Sequence, residues 1–336
     1  MIVIERVFCM TKVLVTGASG FLGQRVVGEL KAQGNYSDVH TFRSSQYDLR
    51  DVEAIKQLLS DKPADVLVHL AAKVGGIGAN MKRPGEFFYD NLVMGVQLVE
   101  QARLFGIKKV VVVGTICAYP KFTPVPFKEE DLWCGYPEET NAPYGLAKKM
   151  LIVQLEAYRK QYQFNGINLL MVNLYGPGDN FDLESSHVIP AMLRKFHHAK
   201  EEVADTVTLW GDGSPSREFL YVDDAARAIR LATERYEKPE PINVGSGMEI
   251  SMRQLAEQVR KVVGFKGEVQ WDTTKPNGQP RRCLDVSKAK QEFGFSANMT
   301  FPMGLELTYN WFLENQGSIC SVPGMAVGAS TQTGRN

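Results

Sequence analysis

The amino-acid sequence predicts an α/β fold in which a doubly wound parallel sheet is followed by a smaller C-terminal α/β substrate-binding region. Up to about residue 175, short apolar, β-branched runs alternate with helical stretches, the pattern of consecutive βαβ units. The turn Gly17-Ala-Ser-Gly-Phe-Leu-Gly23 directly follows the first apolar run and opens the first helical stretch. That position predicts a dinucleotide-binding, or Rossmann, sheet.

The elements of the first part follow from local patterns. Continuous apolar runs predict buried strands, at residues 12–16, 38–43, 65–70, 108–114 and 168–174. The stretches between them predict helices, at residues 21–33, 52–60, 85–105 and 143–162. Pro143, with Thr140 or Asn141 as an N-cap before it, is typical of a helix start.

Beyond Gly176, longer loops separate shorter elements. We expect helices at residues 188–198, 223–236, 252–263 and 302–314, and strands at residues 206–210, 241–244 and 268–271. We assign residues 11–175 to a Rossmann domain, to which later segments can return, and residues 176–315 mainly to substrate binding. Residues 1–10 and 317–336 are extensions; Met10 is an alternative start to Met1, and the Gly-, Ser- and Thr-rich tail is predicted to be disordered.

Composition excludes several function classes. The 38 Lys and Arg residues balance 38 Asp and Glu residues, so no overall charge attracts nucleic acid or a membrane surface. No apolar run reaches the ~18 residues of a membrane span. The five cysteines lack paired spacing, which indicates a reducing, cytoplasmic setting and no zinc site. An anionic small-molecule substrate would need a local basic pocket.

The glycine turn predicts cofactor contacts. Its glycines allow a tight turn and the close approach of a pyrophosphate to the helix N-terminus. The second strand ends without the acidic residue typical of NAD enzymes, and Arg43 stands there instead, suited to a 2′-phosphate. We therefore predict NADP(H), with Asp48 and Leu49 near the adenine. The predicted contacts within the turn are Gly17, Ala18, Ser19, Gly20, Phe21, Leu22 and Gly23.

A proton-transfer pair is predicted on the helix that begins near Pro143. Tyr144 and Lys148 are four residues apart, so they share one helix face, where the ammonium can lower the phenol pKa. Such a tyrosine can exchange a proton with a carbonyl while a hydride moves. Thr115, at the end of the fourth strand, can hydrogen-bond the same carbonyl. Tyr and Lys four residues apart also occur on solvent-exposed helix faces without a catalytic role. The pair alone therefore does not decide between a catalytic pair and two surface residues.

Five motifs in order narrow the prediction. Over about residues 11–315 the chain resembles the extended short-chain dehydrogenase/reductase superfamily, and within it the GDP-L-fucose synthase family. That family performs NADPH-dependent 3,5-epimerisation and 4-reduction of GDP-4-keto-6-deoxy-D-mannose to GDP-L-fucose. The motifs are Gly114-Thr-Ile-Cys-Ala-Tyr-Pro-Lys121, Asn141-Ala-Pro-Tyr-Gly-Leu-Ala-Lys148, Asn173-Leu-Tyr-Gly-Pro-Gly-Asp-Asn180, Ser186-His-Val-Ile-Pro190 and Arg217-Glu-Phe-Leu220.

The resemblance implies a role for each matching residue. It assigns the epimerising acid/base pair to Cys117 and His187, and the reduction to Tyr144, Lys148 and Thr115. Further cofactor contacts are implied for Lys148, Asn173, Leu174 and His187. GDP-sugar contacts are implied for Lys195, Trp210, Arg217 and Asn277, the last standing where the family pattern has Asp. Relatives commonly form homodimers through the two long helices, which implies a homodimer here.

Alternatives stay open at this point. A single-step C4 epimerase would share the fold, although it gives no role to Cys117 or His187. A related epimerase/reductase acting on another GDP-4-keto sugar, a deoxy-heptose or a dideoxyhexose, would share the spacing. A non-catalytic NADP-binding sensor would share the fold, although such proteins usually lose the Tyr or the Lys. A nucleotide-sugar 4,6-dehydratase is disfavoured, because Thr115 is followed by Ile116 and Cys117 instead of the expected acidic pair.

Overall fold

The computed structural model describes residues 11–32, 36–183, 185–275 and 277–319. The predictions about residues 1–10, including the alternative start, and about the tail from residue 320 onward lie outside these residues. Within them the chain forms eleven β-strands, ten α-helices and two short 3₁₀ turns. No helix in this described part of the chain is long and apolar enough to cross a membrane.

A six-stranded sheet with every pair parallel forms the first layer, in the order β2-β1-β3-β4-β5-β9. Its central strands are buried on both faces, which explains their nearly continuous apolar runs. In β1, Val13 and Val15 face one core and Leu14 faces the other. The strands are β1 (Thr11–Thr16), β2 (Tyr36–His40), β3 (Val66–His69), β4 (Lys109–Thr115), β5 (Asn165–Met171) and β9 (Ile242–Val244).

Helices cover both faces of this sheet, so the predicted doubly wound fold is confirmed. On one face Val26 of α1 and Ile229 of α7 join the core. On the other face Leu58 of α2, Leu98 of α4 and Leu151 of α5 form a second core. These helices are α1 (Phe21–Ala32), α2 (Val52–Asp61), α4 (Pro84–Leu104), α5 (Ala142–Tyr162) and α7 (Val222–Arg235).

Most of the remaining elements build a smaller layer beyond the carboxyl ends of the main strands. It contains a three-stranded sheet, β10-β8-β6, and a parallel pair, β7 with β11. Its own apolar core includes Phe196, Leu255 and Phe312. The strands are β6 (Asn173–Tyr175), β7 (Thr206–Trp210), β8 (Ser216–Tyr221), β10 (Glu249–Ser251) and β11 (Glu268–Asp272). The helices are α6 (Val188–Glu201), α8 (Met252–Val263) and α10 (Phe301–Ile319). Two short helices lie elsewhere: α3 (Ile77–Lys82) contacts α4, and α9 (Ser287–Phe293) packs Ala289 and Phe293 into the core of the main sheet.

Several predicted boundaries differ from the structure. The single strand expected at residues 168–174 is two strands, β5 and β6, which join different sheets. The second strand ends at His40, so Arg43 lies in the loop beyond it. The extension expected from residue 317 begins later, because α10 continues to Ile319. Four short elements, α3, α9, β8 and β10, were not predicted, because strands and helices this short depend on tertiary partners for their order.

Later parts of the chain return to the main sheet. Strand β9 pairs with β5, and α7 packs against α1. The buried Lys109 ammonium of β4 donates hydrogen bonds of 2.7 Å to the carbonyls of Thr233 and Tyr236 at the end of α7. It also lies 2.7 Å from the Glu237 carboxylate. These contacts hold α7 against β4. The division of the chain into two domains at residue 175 stays a prediction.

Candidate active site

One large cavity, of about 1170 Å³, runs from the carboxyl ends of the main strands into the smaller layer. Ligands of doubly wound sheets bind at such strand ends. The cavity brings together nearly all the residues that the sequence singled out. Those lining it are Gly17, Ser19, Gly20, Phe21, Leu22, Gly23, Asp48, Leu49, Thr115, Cys117, Tyr144, Lys148, Asn173, Leu174, His187, Lys195, Trp210, Arg217 and Asn277.

The glycine turn leaves room for a ligand's phosphates because side chains could not fit there. Gly17 has φ +68°, and a Cβ on it would lie 2.8 Å from the Ala71 nitrogen. A Cβ on Gly23 would overlap the Gly17 carbonyl oxygen. The turn therefore lies directly against β3, and the N-terminus of α1 faces the cavity. This cradle fits the pyrophosphate of a dinucleotide.

Thr16 holds the ends of β1 and β3 together behind the turn. Its hydroxyl accepts hydrogen bonds of 3.1 Å from the backbone N–H groups of Leu70 and Ala71, and lies 2.9 Å from His69 Nδ1. Burial, and then the nearby Lys148 charge, lower the pKa of His69 to about 3. His69 is therefore neutral at pH 7 and serves as a hydrogen-bonding partner.

Ala18 and Arg43 are the two predicted residues that lie outside the large cavity. They line a neighbouring cavity of about 570 Å³, together with Thr41 and Gln46. Ser19 lines both cavities, so the two are adjacent at the end of the glycine turn. This is where the 2′ position of an adenosine ribose would lie if its pyrophosphate sat on the turn.

Asp48 and Leu49 line the large cavity from the loop after β2. The Asp48 carboxylate accepts hydrogen bonds from Arg50 Nη2 at 2.7 Å and Nε at 3.0 Å. These hydrogen bonds hold the pKa of Asp48 below its usual range. The carboxylate is therefore negatively charged and oriented, while Leu49 is buried beside it.

Thr115 organises the centre of the cavity. Its hydroxyl caps the 3₁₀ turn Ile116–Ala118 by accepting a 3.2 Å hydrogen bond from Cys117 N–H. The same side chain hydrogen-bonds the Tyr144 hydroxyl. α5 approaches this turn so closely that a Cβ on Gly145 would overlap the Cys117 carbonyl oxygen. The close approach places Tyr144 beside Thr115 and Cys117.

Burial dominates the protonation of the Tyr144 and Lys148 pair. It lowers the pKa of Lys148 to about 8. It also raises the pKa of Tyr144, as does the charge of Cys117, and the hydrogen bond with Thr115 only partly opposes the rise. The expected lowering of the phenol pKa by Lys148 is therefore not seen in this structure, where burial of the phenolate dominates. The phenol is a proton donor at pH 7.

His187 lies at the N-cap position of α6 and lines the cavity with Cys117. Its side chain makes no capping hydrogen bond within the described helix, so a capping role does not account for it. It is half-buried, and burial lowers its pKa. A lowered pKa makes the imidazolium a better proton donor and the imidazole easier to keep neutral.

The far end of the cavity carries the predicted substrate contacts. Lys195 on α6 is half-buried, and Trp210 at the end of β7 is 59% exposed. Arg217 Nη1 donates to the carbonyls of Ser216 at 2.7 Å and Gln279 at 2.6 Å. Asn277 Oδ1 accepts a 3.0 Å hydrogen bond from Asp212 N–H. A cation and an aromatic ring at a cavity mouth suit a nucleotide's phosphates and base.

Sequence reasoning missed a buried polar group beside Cys117. Arg282 Nη1 donates to Cys117 Sγ at 3.5 Å, and Arg282 Nη2 lies 3.9 Å from Glu138 Oε2. Gln279 also lines this part of the cavity. In the sequence these residues belong to polar segments with no repeating pattern, so no local signal identifies them. Within the described ranges, no three His, Cys, Asp or Glu side chains are placed to hold a metal ion.

Comparisons with known proteins agree with this geometry. A family model described as "NAD dependent epimerase/dehydratase family" matches residues 13–245. GDP-L-fucose synthase 1 of Arabidopsis thaliana is 40% identical over 90% of this chain and 94% of its own length. An NADP-bound GDP-L-fucose synthetase from Naegleria fowleri superposes with a TM-score of 0.81 at 29% identity, over 92% of this chain and 95% of that chain. A GDP-6-OMe-4-keto-L-xylo-heptose reductase from C. jejuni superposes with a TM-score of 0.85 at 27% identity, over 91% and 98%.

Because α5 lies so close to the Cys117 turn, we expect alanine to have opposite effects on the free energy of unfolding at two helical glycines. We expect Gly145→Ala to lower the free energy of unfolding by about 1–3 kcal/mol, because the new methyl group must displace the turn. Gly28→Ala in α1 is the control, because nothing lies within 4 Å of its Cβ position. It should raise that free energy by about 0.5–1 kcal/mol. Urea denaturation measures both, and equal effects would contradict the tight contact.

Proposed function

The chain belongs to the NAD dependent epimerase/dehydratase family, and we propose that it converts GDP-4-keto-6-deoxy-D-mannose to GDP-L-fucose with NADPH. The proposed setting is the reducing cytoplasm, in which its free thiols would stay reduced. The relatives named GDP-L-fucose synthase match along nearly the whole chain. One observation carries the proposal: a single cavity holds a reducing set, Thr115, Tyr144 and Lys148, together with an acid/base pair, Cys117 and His187.

Epimerisation comes first in the proposed sequence. The protons on the carbons that flank the C4 ketone are acidic because their removal gives an enolate. Cys117 and His187 form the pair that removes a proton and returns one to the opposite face, which inverts the centre. Thr115 hydrogen-bonds the ketone oxygen, where the enolate charge gathers. Inversion at C3 and C5 leaves the ketone ready for reduction.

Reduction uses the other side of the same site. NADPH supplies the hydride when it is bound on the glycine turn. Tyr144 donates its phenolic proton to the C4 oxygen, and its raised pKa keeps that proton available at pH 7. Lys148, on the same helix as Tyr144, is buried and is proposed to stabilise the phenolate that Tyr144 becomes after it donates its proton. Thr115 orients the oxygen through its hydroxyl.

A second candidate substrate class is another GDP-4-keto sugar. The structural likeness to a C. jejuni GDP-heptose reductase favours it, and Asn277 departs from the pattern of the fucose-forming family. Asn277 contacts Asp212 through its side-chain oxygen, an atom that an aspartate would also offer. This contact therefore does not require a change of substrate, and the deoxymannose derivative is the substrate that we propose.

The proposed activity is tested with a set of GDP-4-keto sugars and NADPH. We expect NADPH oxidation with GDP-4-keto-6-deoxy-D-mannose and a product with inverted C3 and C5 centres, identified by mass spectrometry and NMR. Turnover of a heptose derivative alone would shift the assignment to the second class. Binding of NADPH without turnover of any of these sugars would favour the non-catalytic sensor.

Two variants should separate the steps. Cys117→Ser should reduce solvent-deuterium incorporation at C3 and C5 more strongly than it reduces hydride transfer to C4, by about 10²–10⁴-fold for loss of an acid/base group. Tyr144→Phe should keep deuterium incorporation and lose NADPH oxidation. If each variant lost both activities equally, the proposed division of labour would be wrong.

Cofactor choice is proposed to depend on Arg43. Arg43→Ala should raise the KM for NADPH by about 10–100-fold, the effect of losing a charge-assisted hydrogen bond. The KM for NADH, which lacks the 2′-phosphate, should stay unchanged and serves as the internal control. An unchanged NADPH to NADH preference would refute this role.

We propose a homodimer formed through α4 and α5. Apolar side chains are exposed along these adjacent helices, among them Tyr89, Val96 and Val153. Gln154 Nε2 of α5 donates to the Val96 carbonyl of α4 at 2.9 Å, so the two helices form one surface. Light scattering should give about twice the 37.5 kDa chain mass, and Val153→Glu should halve that value. Val203→Glu, at a residue 88% exposed elsewhere, should not change it.

A further inference from the structure

We propose that Arg282 is a positioning residue for Cys117, whose sulfur it orients and holds in the thiolate form as the base that begins epimerisation. This inference rests on the proposed function and adds a residue to it. Arg282 Nη1 donates to Cys117 Sγ at 3.5 Å, within the distance at which a cation favours an anion. Both residues line the cavity, and Cys117 is half-buried there.

The guanidinium is fixed from several sides. Its Nε donates to Gln279 Oε1 at 2.7 Å, and Gln279 Nε2 donates to the Lys121 carbonyl at 2.7 Å. Its backbone N–H donates to the Ser216 carbonyl at 3.3 Å. Arg282 is 7% exposed, so its orientation depends on these contacts. A planar group with three directed nitrogens keeps its geometry better than a lysine ammonium would.

The next residues of the segment are anchored by a buried carboxylate. Glu218 Oε2 accepts a 2.7 Å hydrogen bond from Leu284 N–H, and Glu218 Oε1 accepts a 2.6 Å one from Gly247 N–H. Glu218 is 1% exposed. Arg282 thus lies on an extended segment that bridges to Ser216 of β8 at Arg281 and to Phe127 at Leu284. Its place beside Cys117 is a property of the tertiary fold.

The charges around Cys117 favour an anion. The Arg282 guanidinium donates to its sulfur, the Arg217 charge also interacts with it, and the Glu138 carboxylate lies 3.9 Å from Arg282 Nη2. Burial and then repulsion from Arg282 lower the pKa of Arg217 to about 10, so both cations are charged at pH 7. Burial would raise the pKa of Glu138, but hydrogen bonds from Thr140 and Asn141 hold it below its usual value.

The remaining titratable groups near Cys117 do not reverse this balance. Tyr144 on α5 is neutral at pH 7 because burial and the Cys117 charge raise its pKa. His187 lines the same cavity from the start of α6, and burial lowers its pKa. Arg282 and Arg217 together outweigh Glu138, so the fixed charges near Cys117 are positive on balance, and such surroundings favour an anion over a neutral group.

In the proposed inversion, one proton moves from the sugar to Cys117 and another moves from His187 to the sugar. The thiolate takes a proton from the carbon beside the C4 ketone and becomes a thiol, while the C–H electron pair moves into the enolate. His187, after taking up a proton from water, then gives a proton to the opposite face of that carbon and becomes neutral again. Cys117 later returns its proton to water. The chain returns to its starting state with one centre inverted.

The test measures the alkylation of Cys117 by iodoacetamide between pH 5.5 and 9.5 in the full-length protein, followed by peptide mass spectrometry. We expect Arg282→Met and Arg282→Gln to slow alkylation at pH 7 by about tenfold and to raise the midpoint of the pH–rate profile by about one unit. Arg282→Lys should keep part of the alkylation rate that the other two variants lose, since lysine retains the positive charge but lacks the planar guanidinium group. Arg281→Met is the matched control, because Arg281 is exposed and pairs with Glu249.

Two further measurements keep the inference falsifiable. Exposed Cys134 in the same molecule should react at the same rate in every variant, which controls for the reagent and for unfolding. Glu138→Gln should act in the opposite direction and lower the midpoint for Cys117, because it removes the neighbouring negative charge. A Cys117 profile unchanged in both Arg282→Met and Glu138→Gln would overturn the proposal.

The outcomes distinguish this inference from the proposed function. Alkylation needs no sugar substrate, so a shifted profile supports the role of Arg282 even if none of the GDP-4-keto sugars is turned over. Turnover of the sugar with an unshifted profile would leave the proposed function standing and reject Arg282. When turnover is present, Arg282→Met should slow deuterium incorporation at C3 and C5 by about tenfold more than it slows reduction of a sugar that is already epimerised.

Discussion

The close contact between α5 and the turn after β4 is the constraint on which the site depends. Gly145 lets the helix lie directly on the Cys117 carbonyl, and the turn itself is capped by Thr115. A side chain at this glycine would separate the two elements. Since Tyr144 and Lys148 lie on that helix and Thr115 and Cys117 on that turn, one contact sets the distances among all four. Reduction and epimerisation can share a substrate position because of it.

Several polar and charged groups are buried in the fold, and such groups are costly unless each has a partner. Glu218 accepts two backbone hydrogen bonds, Lys109 donates to the end of α7, and Thr16 is bonded to the end of β3. These contacts cross between elements that are distant in sequence. The Glu218 contacts fix the segment that carries Arg282, the Thr16 contacts fix the ends of β1 and β3, and the Lys109 contacts fix α7 against β4. Lys148 differs, because desolvation lowers its pKa to about 8 and leaves its charge sensitive to what binds.

The structure also explains how one site can hold two kinds of proton transfer. Burial makes Tyr144 a donor at pH 7, whereas the excess of cations beside Cys117 favours an acceptor there. Cys117 lies in the turn after β4 and Tyr144 on α5, and the Cys117 charge helps to raise the pKa of Tyr144. The two groups have different surroundings, burial around the phenol and a guanidinium group beside the thiol. That difference is the physical basis for the proposed sequence of steps.

The sequence by itself determined the parallel sheet, the glycine turn, and the family-specific positions of Cys117, Tyr144, Lys148 and His187. It could do so because apolar periodicity and turn chemistry are local, and because several motifs occur in order. It did not determine the split of β5 from β6, the short strands β8 and β10, or the burial that reverses the expected pKa shift of Tyr144. Nor did it identify Arg282 and Glu138, which are far apart in the chain. Only the tertiary structure decided these points, since burial and charge contacts arise from residues that the fold brings together.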